Sequence, residues 1–272
     1  MKKYKLFFVY WKGKAMENND LKKIYDNPLY IKYINNPSED LSLEAVRRNG
    51  LAIRYINSPS KEIKEAAIKN NPLAVEYIED IDEENAILAV KLLWNSLKYI
   101  KNASDKVKLE AVKAKGWAIQ FIENPSEEMQ LNAVNRDYDS IKYIKDPSEE
   151  VQLAAIKKYW AAIKFINNPS LEARKEAVRG NEEAINYINF SLDELKILIS
   201  ENIKVVKYVY DSIDVDFVVD VVIDKVREEE IDEKYIKDYL ELEILEMDKI
   251  NFIRAYGSKK AKMLLVDYKL SR

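Results

Sequence analysis

The stretch Asn124-Pro125-Ser126-Glu127-Glu128-Met129-Gln130-Leu131-Asn132-Ala133-Val134, running on to Ile141-Lys142-Tyr143-Ile144, decides the fold. Pro125 cannot continue a preceding helix, and Ser126 is placed to cap the next one through its hydroxyl. About ten helical residues follow, then a turn, then a shorter helix ending on the Tyr143-Ile144 pair. The same phrase recurs at an unvarying 22-residue interval, with its aromatic at Tyr33, Tyr55, Tyr77, Tyr99, Phe121, Tyr143, Phe165 and Tyr187. An Ile follows each one. Eight copies without an insertion predict an all-α solenoid of short two-helix repeats, a quasi-one-dimensional stack with no single central core.

The columns of this array assign roles. The slot after the proline holds Ser38, Ser60, Asp82, Ser104, Ser126, Ser148 and Ser170, all good N-caps. The slot before it holds Asn36, Ser58, Asp80, Asn102, Asn124, Asp146 and Asn168, side chains that stabilise turns. Ala45, Ala67, Ala89, Ala111, Ala133, Ala155 and Ala177 share one position, each followed by Val or Ile. A methyl there lets neighbouring helices approach closely while the branched residue fills the gap between layers. The shorter helix contributes Ile31, Ile53, Val75, Leu97, Ile119, Ile141, Ile163 and Ile185. These residues and the Tyr-Ile columns are expected to form the core.

Three segments are expected. Residues 1–27 are an N-terminal extension or cap, whose Leu6-Phe7-Phe8-Val9-Tyr10-Trp11 run reads as a strand or an irregular lid. Residues 28–190 hold the eight repeats. Residues 191–272 hold a decayed repeat, Leu192–Val209, and a helical cap with stretches around Phe217–Val226 and Tyr235–Phe252, as terminal repeats require.

Composition excludes much chemistry. His and Cys are both absent, which removes imidazole bases, thiolate nucleophiles and the commonest metal ligands. Five glycines form no phosphate-binding loop. No window approaches a membrane span, and the N-terminal apolar run lacks a signal-peptide cleavage site. The expectation is a cytoplasmic, non-enzymatic protein with no cofactor and no metal.

Two charged edges follow from the register. After the caps come Glu39, Asp40, Glu62, Glu83, Glu84, Asp105, Glu127, Glu128, Glu149, Glu150 and Glu172. At the other end of the same helices lie Arg47, Lys69, Lys91, Lys113, Lys157 and Arg179, with Asn135 beside Arg136 breaking the column. Acids at helix N-termini and bases at C-termini each gain about 0.3–1 kcal/mol from the helix dipole. The dipole does not explain a second basic column, Lys32, Arg54, Lys98, Lys142 and Lys164, in the middle of the short helix. Nor does it explain the aromatic turns Trp94, Trp117, Tyr138, Tyr159 and Trp160; the slot of Trp94, Tyr138 and Trp160 holds Gly50, Pro72 or Gly116 in other copies. These rings either cover the ends of the stack or, beside the lysines, form a contact strip.

The phrase from Ile141 to Ile156, with the Asn49-Gly50 and Lys115-Gly116 turns, resembles an uncharacterised family of helical repeats with a consensus near IKYIKNPSEEVQLAAVKQNG. The family occurs in bacterial, phage and giant-virus genomes and carries no known catalytic residues. The resemblance covers roughly residues 28–190. It implies a mobile-element accessory, in its most specific form a phage-encoded counter-defence inhibitor of a host defence enzyme. Residue chemistry and resemblance together favour a scaffold that binds and inhibits or sequesters a protein partner. Its candidate contacts are Lys91, Trp94, Lys113, Trp117, Arg136, Tyr138, Lys157, Tyr159 and Trp160, with Arg54, Lys98, Lys142 and Lys164 as a secondary column. An alternative contact is the acidic edge of Glu83, Glu84, Glu127, Glu128, Glu149 and Glu150, which could mimic nucleic acid. The second reading is a nucleic-acid binder using the Lys/Arg and Trp/Tyr edge. A net charge of −3 and a pI near 5.5 argue against it.

Overall fold

The structure, a computed structural model, describes residues 19–271. The N-terminal aromatic run, expected as a strand or lid, lies outside the described residues. Residues 19–26 of the expected N-terminal cap are helical. The protein is all-α, a helical-repeat solenoid, and among the described residues no strand occurs. The chain divides into two compact units between Tyr143 and Ile144.

In the first unit the 3₁₀ helix Pro28–Tyr33 is followed by five pairs of one α-helix and one 3₁₀ helix. The pairs are Glu39–Arg48 with Gly50–Tyr55, Lys61–Asn70 with Pro72–Tyr77, Glu83–Leu92 with Trp94–Tyr99, Asp105–Ala114 with Gly116–Phe121, and Glu127–Arg136 with Tyr138–Tyr143. Each α-helix packs on the next α-helix and each 3₁₀ helix on the next 3₁₀ helix, giving two parallel columns. The caps act as the sequence predicts. The Ser126 hydroxyl accepts from the Met129 N–H, and Ser38, Ser60, Asp82 and Ser104 do the same for their own helices. Asn36, Ser58, Asn102 and Asn124 adopt positive φ at the turn, where Asn is tolerated better than most residues. A second cap was not anticipated. Asn27, Asn49 and Asn71 accept from the backbone N–H two residues on and so start the 3₁₀ helices.

Between the columns lies the core. The Ala column and the 3₁₀ positions Ile31, Ile53, Val75, Leu97, Ile119 and Ile141 are all buried. The aromatic column is not. Tyr33 is 67% exposed, Tyr77 39% and Tyr143 38%, while Tyr55, Tyr99 and Phe121 are half-buried. The expectation that these rings are core is therefore corrected, and the cause is local geometry. A 3₁₀ helix has 3.0 residues per turn, so residues i and i+3 eclipse. Ile53 and Ile56, or Val75 and Ile78, then share the inward side, and the two residues between each pair turn outward.

The second unit continues with Glu149–Lys158 and Trp160–Phe165, then Leu171–Gly180 and Glu182–Tyr187. The stretch read as a decayed repeat keeps a ten-residue α-helix, Leu192–Glu201, capped by Ser191 and Glu194 in a reciprocal box. Asn202 then starts a short 3₁₀ turn, Ile203–Val205, which passes into α-helix at Val206. The cap differs from expectation. The first stretch is the helix Val215–Arg227, but the second is two helices, Glu233–Glu241 and Lys249–Tyr256, and a further helix, Lys259–Leu270, follows.

Candidate functional site

Once the aromatics turn outward, the second basic column falls beside them. In the first unit Lys32 lies 4.7 Å from the Tyr33 ring centre, Arg54 4.7 Å from Tyr55 and 6.0 Å from Tyr77, and Lys98 5.6 Å from Tyr99. Lys142 sits 5.0 Å from Tyr143 and 4.8 Å from Trp117. In the second unit Lys164 lies 4.1 Å from the Tyr187 ring and 5.0 Å from Trp160. Each contact of this kind is worth about 0.5–1 kcal/mol at an exposed site. Within the first unit rings and cations thus form an aromatic–basic ladder, with Arg54 serving both Tyr55 and Tyr77 and Gln120 standing in the cation's place before Phe121. Lys164 begins a similar arrangement in the second unit.

The aromatic turns join this ladder instead of forming a separate strip. Trp94 stacks on Phe121 of the next repeat, with ring centres 5.9 Å apart and planes 22° from parallel. Trp117 is held between Lys115 and Lys142, and its indole N–H donates to Asp139 at 2.8 Å. Burial alone would raise the Asp139 carboxyl, but the Trp117 N–H and the Lys142 ammonium outweigh it and hold it below the usual carboxylate range. Tyr159 is exposed and tilts against the half-buried Trp160. Tyr138 is half-buried. Trp94, Trp117, Tyr138 and Trp160 are thus partly covered by the stack, and Tyr159 is the exposed one among them.

The basic edge is less bare than the sequence suggests. Lys91 and Lys113 share Glu110 at 2.9 and 3.3 Å, and Arg47 and Lys69 meet Glu62 and Glu65. Arg136 and Lys157 are exposed. All are surface pairs of small energetic value. The acidic edge has a structural task. The Ser60 hydroxyl, which caps its own helix, also donates to Glu39 of the preceding repeat at 2.7 Å, and Ser104 repeats this with Glu83. Glu83 also pairs with Lys106, and Glu84 with Lys61. Glu127, Glu128, Glu149 and Glu150 are exposed.

The sequence pattern points to the cations of the ladder but not to its rings. The signal that could have found them is the pair of residues separating successive apolar positions of the short helix, Ile53 and Ile56, a period of three. Among the described residues no cluster of His, Cys, Asp or Glu could hold a metal ion, and no helix is long and apolar enough to cross a membrane. Comparison of the chain with protein-family models, with curated proteins and with solved structures returned no match.

Proposed function

We propose that the protein is a non-catalytic scaffold that binds a protein partner along the aromatic–basic ladder and acts by occupying that partner's surface. One observation carries this reading: in both units an aromatic residue recurs at the same place in the repeat, where the fold needs only a residue between two inward-facing apolar positions. It is exposed at Tyr33, Tyr77, Tyr143, Phe165 and Tyr187 and half-buried at Tyr55, Tyr99 and Phe121. Exposed rings beside Lys and Arg supply the large, rigid contact area on which interface energy concentrates. Carboxylates stand among them. Asp139 neutralises Lys142 at 3.0 Å, and Glu76 takes the cation's place beside Tyr77. These carboxylates interrupt the run of cations that a continuous phosphate backbone would need, which favours a polypeptide, whose charges can be spaced to avoid those rungs, over nucleic acid. Sequestration or inhibition of the partner is the mode of action that such a surface permits without chemistry of its own.

A photo-crosslinking phenylalanine placed at Tyr77 tests the reading in a whole-cell extract. Adducts sensitive to protease and resistant to nuclease are expected. Nuclease-sensitive adducts would establish the nucleic-acid reading instead.

A further inference from the structure

Resting on that reading, we propose that the first unit's ladder binds an extended acidic polypeptide in the polyproline II conformation, with one ligand residue in three facing each rung. The argument begins with spacing. Both the Tyr55 and Tyr77 ring centres lie within 6.0 Å of one guanidinium, so they are at most about 11 Å apart, in line with the ~8–10 Å separation of packed helices. A polyproline II chain has three residues per turn and rises about 3.1 Å per residue, so it returns to the same face every ~9.3 Å. A β-strand advances a similar distance in three residues, but residues i and i+3 then point to opposite faces. An α-helix has a pitch of ~5.4 Å, and every second turn would meet no rung.

Charge selects the ligand's composition. Of the six residues preceding the rings in this unit, Lys32, Arg54, Lys98 and Lys142 are cations and only Glu76 is a carboxylate. Ligand carboxylates spaced along the chain would meet Lys32, Arg54 and Lys98, while Glu76 and Gln120 supply no cation and Lys142 is already paired with Asp139. Proline rings would lie on the Tyr and Phe faces, the mode by which aromatic-lined surfaces take proline-rich segments. The backbone of such a chain has no internal hydrogen bonds, so its carbonyls need external donors. A groove of about 760 Å³ at the start of the ladder supplies them. It is lined by Lys32, Asn35, Asn36, Tyr55, Asn57 and Ser58, among others, and the three Asn side chains are at the surface.

Fluorescence anisotropy with three labelled 18-residue probes tests this on the full chain: (Pro-Pro-Glu)6, (Gly-Ser-Glu)6 of equal charge, and an oligo-dT 18-mer. (Pro-Pro-Glu)6 should bind at least tenfold more tightly than either of the others. Arg54→Glu with Lys98→Glu should weaken it at least tenfold, and so should Tyr77→Ala, with circular dichroism unchanged in both variants. Equal binding of the two peptides would overturn the polyproline II inference and leave the protein-binding reading standing. Tightest binding of oligo-dT would overturn both. No binding of any probe, or binding indifferent to the substitutions, would overturn the inference alone.

Discussion

At the scale of the residue, the contact between layers is set by atoms that are absent. A Cβ at Gly116 would lie 2.4 Å from the Ala133 carbonyl oxygen of the next repeat, and one at Gly50 would lie 2.4 Å from that of Ala67. Neither glycine has positive φ, so what they supply is room and not a special turn. Trp94 and Trp160 fill the same slot elsewhere, so the restriction belongs to those two layers. The fully buried Ala111 and Ala133 methyls are limited in the same way. Gly116→Ala and Ala111→Leu should each lower stability by about 1–3 kcal/mol through overpacking. Urea denaturation checks this. An unchanged midpoint in both variants would mean the layers stand further apart than described. The Ala column was legible because a small residue recurring at one fixed position marks a close approach between helices. The demand at Gly116 was not, since it depends on how closely one particular layer approaches its neighbour.

At the scale of the element, the ten-residue α-helices were readable from the capping Ser or Asp and, in most copies, the proline before it, because each signal acts through a local backbone restriction. The character of the short helices was not readable. Six residues are fewer than two α-turns, and Ile-Lys-Tyr-Ile suits a period of 3.0 as well as one of 3.6. That ambiguity is why the rings were placed in the core. The cap was misread for a related reason, since the break between Glu241 and Lys249 contains neither Gly nor Pro. Its docking is anchored by Asp238, a buried carboxylate held by Lys204 of the last repeat at 2.8 Å and by Lys234 at 2.5 Å. Burial would raise this carboxyl, but the two ammonium groups outweigh it and lower it. A lowered native carboxyl stabilises fully above its unfolded value, near pH 3.9, and the contribution is lost as pH falls through the lower native value. Thermal melts should therefore show an acid-side loss of stability below about pH 4. Asp238→Asn should reduce that loss while lowering the melting temperature at pH 7. A variant with the same acid limb as the parent would remove Asp238 from the account.

At the scale of the whole molecule, the net charge of −3 is a sum over faces with different tasks. Among the acidic residues at the helix starts Glu39, Glu83 and Glu84 link successive repeats, while the cations of the short helices stand among partly exposed rings. The sequence displays the basic and the aromatic columns, yet only the 3₁₀ geometry sets them side by side within each unit, so the fold class was legible where the site was not. That outward turn is the central claim, and tyrosine nitration of the native protein followed by peptide mass spectrometry tests it most directly. Tyr33, Tyr77, Tyr143 and Tyr187 should react at rates near that of an exposed tyrosine, while Tyr235 and Tyr239, buried in the cap, should be protected until the chain unfolds. Protection of the ladder tyrosines to the same degree as Tyr235 and Tyr239 would return the rings to the core and contradict the site built upon them.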